Sequence, residues 1–223
     1  MGIGKHKRMI IQLLLFFTLE RCKELRFLAE SQMNEFKDAF PLVRGKIKKR
    51  YSGVMLDDQY KIKNFDSLNI LFLGRIENSK GICEFVECAR KVCNDPRFMF
   101  LVAGDGSQTQ WLKNEIGDLN NIKYLGVVSG NEKRDLLMKC NVFCLLSDAE
   151  ALPYALLENM MYGNIPIVTD VGEMGNIVQS QCSGYVIKKN AMDLLVALYE
   201  IIRFNECSIK MSERARMTVE RQL

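Results

Sequence analysis

From Asp66 onward the chain repeats one pattern: a short, unbroken apolar run followed by a stretch with helical spacing. The runs are Leu68–Leu73, Phe98–Ala103, Ile122–Leu125, Val142–Leu146, Ile165–Val168 and Gly184–Ile187, and the first three stop at Gly74, Gly104 and Gly126. Between them the spacing predicts helices over Lys80–Val92, Trp111–Leu119, Asn131–Lys139, Pro153–Tyr162 and Ala191–Arg203, with Pro153 well placed in a first turn. Strands that are apolar on both faces and alternate with helices require crossover connections. They predict a parallel sheet covered on both sides, a doubly wound α/β domain of Rossmann-like type. Such sheets bind ligands at the carboxyl ends of their strands, so the residues just after each run are the informative ones.

Before Asp66 the pattern is weaker. Arg26–Glu30 reads as a strand, Gln32–Phe40 as a helix, and Arg44–Val54 as a basic stretch with a further strand. This segment is too short for a second complete α/β domain. The tail, Cys207–Leu223, reads as a charged amphipathic helix. Charge is uneven: residues 1–63 carry 14 Lys and Arg against 7 Asp and Glu, whereas the whole chain is only +4. The basic third reads as a solvated helix face plus a basic loop, or as the side facing an anionic surface or ligand.

Eight cysteines occur without a C-x-x-C pair, and His6 is the only histidine. That excludes the close Cys/His pairs of zinc sites and leaves no histidine placed to activate a Ser or Cys nucleophile. The cysteines read as reduced, semi-buried and cytosolic. Lys5–Arg8 precedes an apolar run, Met9–Phe17, in imitation of a signal peptide. Nine residues are too few to span a bilayer. No small-residue cleavage site follows, so the run reads as a helix with a strongly apolar face.

After the first apolar run come Gly74, Arg75 and Lys80-Gly81. Gly74 permits a sharp turn, and two cations beside a helix start suit a diphosphate. The second run ends in Gly104-Asp105-Gly106, half of a dinucleotide fingerprint, and the chain has no P-loop signature. The densest signal is Ser147-Asp148-Ala149-Glu150-Ala151-Leu152-Pro153-Tyr154-Ala155-Leu156-Leu157-Glu158. Glu150 lies in the loop before a helix and Glu158 inside it. The two carboxylates can grip opposite ends of a ligand while unpaired amides of residues 152–154, Pro153 excepted, face an anion. The simpler alternative is a pair of ordinary helix glutamates. Asp148-Ala149-Glu150 also has the form of a metal-binding acidic pair, but no other hard ligand is near in sequence. A further loop, Gly163–Gly172, follows.

Taken together, these residues resemble the C-terminal half of retaining glycosyltransferases of family 4, which have the two-domain GT-B fold. The family pattern is Gly-Arg then Lys-Gly after one strand, Gly-x-Gly after the next, paired glutamates, and a Gly-x-Pro strand ending in Thr/Ser-Asp-x-Gly-Gly. Here these read Gly74-Arg75, Lys80-Gly81, Gly104-Asp105-Gly106, Glu150 to Glu158, and Gly163 to Gly172, in order. The resemblance implies transfer of a sugar from a nucleotide-sugar donor to an acceptor hydroxyl with retention, and no metal or other cofactor. By the same resemblance Arg75 and Lys80 hold the donor diphosphate as leaving group, Glu150 lies near the sugar hydroxyls, and Glu158 binds the ribose. The implied catalytic residues are Glu150, Arg75 and Lys80. The implied donor-binding set is Gly74, Arg75, Lys80, Gly104, Gly106, Val128, Glu150, Leu152, Tyr154, Ala155 and Glu158. Ala151 stands where the family has Gly, Glu173 where a second Gly is common, and Asn176 where Glu is common.

Complete members carry a whole N-terminal domain. Here Thr18–Arg21 and Phe27–Ser31 resemble its last helix and strand, and Tyr51–Val54 its exit. The expected organisation is therefore a remnant of the acceptor-side domain plus linker over 1–66, a Rossmann-like nucleotide-sugar-binding domain over 67–204, and a C-terminal helix over 205–223. The Met9–Phe17 run then reads as a core helix of that acceptor-side domain. The expected partners are a UDP- or GDP-sugar, a saccharide or lipid-linked acceptor, and either a membrane surface or a partner chain, with no nucleic acid. The expected setting is the cytoplasm or the inner membrane face, and the expected role surface polysaccharide or glycolipid synthesis. The alternative is a non-catalytic nucleotide-sugar-binding subunit that needs a separate acceptor domain.

Overall fold

The computed structural model describes residues 25–27, 30–40, 47–49 and 62–221. The chain divides into two compact units, Met1–Ser52 and Gly53–Leu223. In the first, strand β1 (Leu25–Phe27), helix α1 (Glu30–Ala39) and strand β2 (Ile47–Lys49) form a crossover unit. The two strands pair in parallel, with Leu25 opposite Ile47. Met33 is buried, and the Phe36 and Phe40 rings stack 4.7 Å apart at the end of α1. The Met9–Phe17, Thr18–Arg21 and Tyr51–Val54 segments lie outside the described residues.

The second unit contains β3 (Leu68–Leu73), α2 (Ile82–Lys91), β4 (Phe98–Ala103), α3 (Thr109–Glu115), β5 (Ile122–Gly126) and α4 (Gly130–Lys139). It continues with β6 (Val142–Leu145), α5 (Tyr154–Met161), β7 (Ile165–Thr169), α6 (Met174–Ile177), β8 (Tyr185–Ile187), α7 (Ala191–Arg203) and α8 (Asn205–Glu220). The six strands β3 to β8 form one sheet in the order β5-β4-β3-β6-β7-β8, and every pairing is parallel. Numbered from β3, that order is 3-2-1-4-5-6, the doubly wound Rossmann arrangement. The order reverses direction between β3 and β6, and it is there that ligands bind in such sheets.

The apolar runs explain the sheet. β6 and β7 are buried along their whole length, and β3 and β4 nearly so, because helices cover both faces. Phe72 and Phe100 on adjacent strands both pack on Phe85 of α2, with ring centroids 5.8 and 5.1 Å apart. Edge-on aromatic packing of this kind adds about 0.5–1.5 kcal/mol per pair to burial. Helix α8 joins the same body: Ser212 Oγ donates to Gly163 O at 2.6 Å and Arg216 Nη1 to Met161 O at 3.0 Å. Both bonds satisfy carbonyls at the end of α5 that the helix itself leaves open.

Two local features depart from the sequence expectation. Pro153 stands just ahead of α5 as its N-cap instead of inside the first turn. Lys80 closes a separate 3-10 turn, Asn78–Lys80, and α2 starts only after Gly81.

Candidate functional site

The loops that leave the carboxyl ends of the strands bond to one another in sequence across the sheet. Gly104 N–H donates to Gly126 O at 2.7 Å, and Tyr124 Oη to Gly104 O at 3.1 Å. Ile76 N–H donates to Asp105 O at 2.9 Å, and Asp148 N–H to Ser79 O at 2.8 Å. Glu173 N–H donates to Ala151 O at 3.2 Å, and Thr169 Oγ1 to Ser147 O at 2.6 Å. The sequence motifs, up to 100 residues apart, thus meet along one edge.

Two glycines are required by this crowding. Gly104 has φ +136, and a side chain there would collide with the Gly74 carbonyl. Gly172 has φ +57, and a side chain there would collide with the Glu150 carbonyl oxygen. Asp105, between two glycines, accepts from Thr109 Oγ1 at 2.7 Å and from Gly106 N–H at 2.8 Å. The Thr109 hydroxyl first, and then that amide, hold its carboxyl below the usual range.

Four ion pairs lie along the edge. Lys80 Nζ contacts Glu150 Oε1 at 2.6 Å, and both side chains are about 15 % exposed. Ser147 Oγ donates to the same oxygen at 2.9 Å. Arg75, by contrast, is 68 % exposed and among the described residues meets Glu77, at 3.0 Å. Glu158 of α5 pairs with Lys133 of α4, whose Nζ lies 2.8 Å from Oε1 and 2.7 Å from Oε2. Lys189 Nζ contacts both carboxylate oxygens of Asp148 and the Asn78 carbonyl, each at 2.8 Å.

Of the residues read from the sequence, Lys80 and Glu150 touch directly. Gly74 and Gly104 pack against each other, as do Gly106 and the Ile76 backbone. Leu152 and Val128 are buried, whereas Tyr154 is exposed. Tyr154 and Ala155 open α5 ahead of its first backbone bond, Leu156 N–H to Pro153 O, so their amides stand at the helix mouth. Among the described residues Arg75 and Lys80 share no partner. Ala151 is accommodated without backbone strain, since Gln181 is the one non-glycine residue with positive φ among those described. Lys133 and Lys189 escape the sequence reading, which includes Ser147 in its densest motif but gives it no role. Its contact with Glu150 could have been read from their spacing of three. The lysines could not, because each pairs with an acid 25 or 41 residues away.

Among the described residues no group of three or more His, Cys, Asp or Glu side chains is placed to hold a metal ion. No described helix is long and apolar enough to cross a membrane. A separate cleft of about 520 Å³ lies against β8 and α7, lined in part by Asp170, Tyr185, Lys188 and Glu200. Burial first, and then Glu200, push the Tyr185 hydroxyl up to about 12.

The architecture matches the Rossmann-like C-terminal domain of a GT-B glycosyltransferase. The family model for glycosyl transferases, group 1, matches residues 57–218, and the chain belongs to that family. An uncharacterized glycosyltransferase of Methanocaldococcus jannaschii is 26 % identical over 192 residues, covering 78 % of this chain and 49 % of that protein. The UDP-Gal:alpha-D-GlcNAc-diphosphoundecaprenol alpha-1,3-galactosyltransferase of Escherichia coli is 28 % identical over 136 residues, covering 59 % of this chain and 35 % of that protein. The chain thus spans half or less of the length of these relatives. Among solved structures, Anabaena HepE in complex with UDP and glucose superposes with a TM-score of 0.76 at 14 % identity, over 99 % of this chain and 64 % of that one. The C-terminal domain of the group 1 glycosyl transferase LpcC from Francisella tularensis gives 0.65 at 18 % identity, over 76 % of this chain and 98 % of that one.

Proposed function

We propose that this chain carries the donor-binding half of a retaining glycosyltransferase, binding a UDP- or GDP-sugar at the carboxyl edge for transfer to a saccharide or lipid-linked acceptor in surface polysaccharide or glycolipid synthesis. The observation that carries this reading is the shielded Lys80–Glu150 pair, set between the start of α2 and the mouth of α5. In it an ammonium and a carboxylate stand side by side, as a ligand with an anionic diphosphate next to a hydroxylated sugar demands. Lys80 turns from Glu150 toward the diphosphate, and Arg75, itself solvent-exposed, leaves its half-buried partner Glu77 at little cost. Both cations then stabilise the charge that develops on the leaving diphosphate. Glu150, steadied by Ser147, accepts hydroxyls of the transferred sugar. Amides at the mouth of α5 add the helix dipole. The UDP bound by HepE and the UDP-galactose in the name of the E. coli relative agree with this reading.

Titration calorimetry of the chain with UDP and GDP, with and without a chelator, tests it. Binding of one of them that persists in chelator is expected. Binding of neither, or binding that vanishes with the metal, rejects the reading. Sugar transfer by the same preparation separates the enzyme from the non-catalytic binding subunit.

A further inference from the structure

If Lys80 turns from Glu150 onto a diphosphate, the backbone beneath it must stay fixed. Lys80 closes the 3-10 turn Asn78–Lys80, whose own bonds are few: Lys80 N–H to Glu77 O at 2.9 Å and Gly81 N–H to Asn78 O at 3.1 Å. Bonds of this kind have poorer geometry than those of an α-helix. Two residues from distant loops reinforce the turn. Asp148, after β6, donates its N–H to Ser79 O at 2.8 Å. Lys189, after β8, places its Nζ 2.8 Å from Asn78 O and from each oxygen of the Asp148 carboxylate. A carbonyl oxygen has two lone pairs, so Asn78 O can accept from Gly81 and from Lys189 together.

These bonds close a ring. Lys189 grips Asn78 and Asp148, and Asp148 grips Ser79, the residue between Asn78 and Lys80. The ring is tied down at both ends. Lys189 directly precedes Asn190, the N-cap of α7, whose side chain accepts from Asp193 N–H at 2.8 Å. The Asn78 side chain accepts from Cys83 Sγ, in the first turn of α2, at 3.2 Å. From this geometry, and resting on the donor-site reading above, we propose that Lys189 is a positioning residue. It fixes the turn from which Lys80 reaches the donor diphosphate, directly through Asn78 and indirectly through Asp148 and Ser79. The loop after the edge strand β8 thus governs diphosphate binding without touching the ligand, and the nucleoside is left out of its reach.

The test is calorimetry on the full chain with UDP, GDP, uridine and guanosine. It compares wild type with Lys189→Met, with Lys80→Ala, and with the double variant that carries both substitutions. For whichever diphosphate binds, Lys189→Met weakens binding about fivefold and leaves the matching nucleoside within about twofold of wild type. In the Lys80→Ala background the same substitution costs less than about twofold, because its effect runs through a side chain that is no longer there. A merely structural role of Lys189 weakens nucleoside and diphosphate alike. A direct phosphate contact, or the loss of one positive charge alone, adds in full to the loss from Lys80→Ala. Either result, or unchanged diphosphate binding in Lys189→Met, overturns the inference and leaves the donor site standing. Should Lys189→Met fail to fold, Lys189→Gln carries the same expectation. A wild-type chain that binds neither UDP nor GDP overturns both.

Discussion

Gly104 and Gly172 hold two loops at separations that no side chain permits, and both have φ values that L residues rarely adopt. Gly172→Ala brings a methyl group against the Glu150 carbonyl oxygen and adds backbone strain. A destabilisation of about 1–3 kcal/mol is expected in urea unfolding, together with weakened nucleotide binding, because the displaced backbone is that of Glu150. On the proposed donor reading, the charged residues separate by what they hold. Lys80→Ala and Arg75→Ala should each weaken nucleoside diphosphate binding by about 1.5–3 kcal/mol and leave the plain nucleoside almost unaffected. Glu158→Ala should weaken both, because the ribose is common to both. Calorimetry with UDP against uridine, or GDP against guanosine, separates these patterns. If all three variants lose only the diphosphate, Glu158 does not bind the ribose.

Among the elements, α4 depends on a residue from outside its own sequence. Lys63 is buried, and its Nζ donates to the carbonyls of Leu137, Met138 and Cys140 at 3.4, 2.5 and 2.7 Å, closing the C-terminal end of that helix. A cation there also meets the negative end of the helix dipole. Burial nevertheless pulls the Lys63 ammonium down from 10.5 to about 8. Lys63→Met leaves those carbonyls without their donor and should cost about 1–3 kcal/mol in unfolding free energy. Between pH 8 and about 10 the unfolded chain keeps the Lys63 proton that the folded chain has lost, so wild-type stability gains with pH from this group. The variant lacks the group, and the gap between the two should widen over that window. A gap that narrows instead shows that the carbonyls keep the ammonium charged.

Element identity is largely legible in the sequence of the larger unit, because a strand buried on both faces leaves an uninterrupted apolar run. The six strands lie within a residue or so of the runs that predict them, and α7 spans Ala191–Arg203 as the spacing requires. Helix α6, four residues long, completes too little of a 3.6-residue period to be seen. The site is legible where chemistry and glycine sit together, at Gly74 to Lys80 and at Glu150. It is illegible where the partner comes from another helix. Nothing adjacent in sequence marks Lys133 as the counter-ion of Glu158, or Lys189 as that of Asp148.

At the scale of the whole molecule, the larger unit has the ingredients of independent folding: a six-stranded parallel sheet, helices on both faces, and α8 bound to the end of α5. Its thiols report on that core. Among the described cysteines, Cys93 and Cys207 are exposed, Cys83 and Cys182 half-buried, and Cys88, Cys140 and Cys144 buried. Burial pushes the Cys88 and Cys140 thiols up to about 12, and that of Cys144 well above its ordinary value, so at pH 8 these three have almost no reactive thiolate. A fragment of residues 53–223, which omits Cys22, should therefore unfold in one cooperative transition. Before that transition it should expose two fast-reacting thiols to Ellman's reagent, two slow ones, and three that react only on unfolding. The same fragment should bind its nucleotide with the affinity of the full chain, because every residue assigned to the donor lies within it. Five or more fast thiols in the native fragment, or lost nucleotide binding with the thiols still protected, would show that residues 1–52 complete the core in the first case and the donor site in the second.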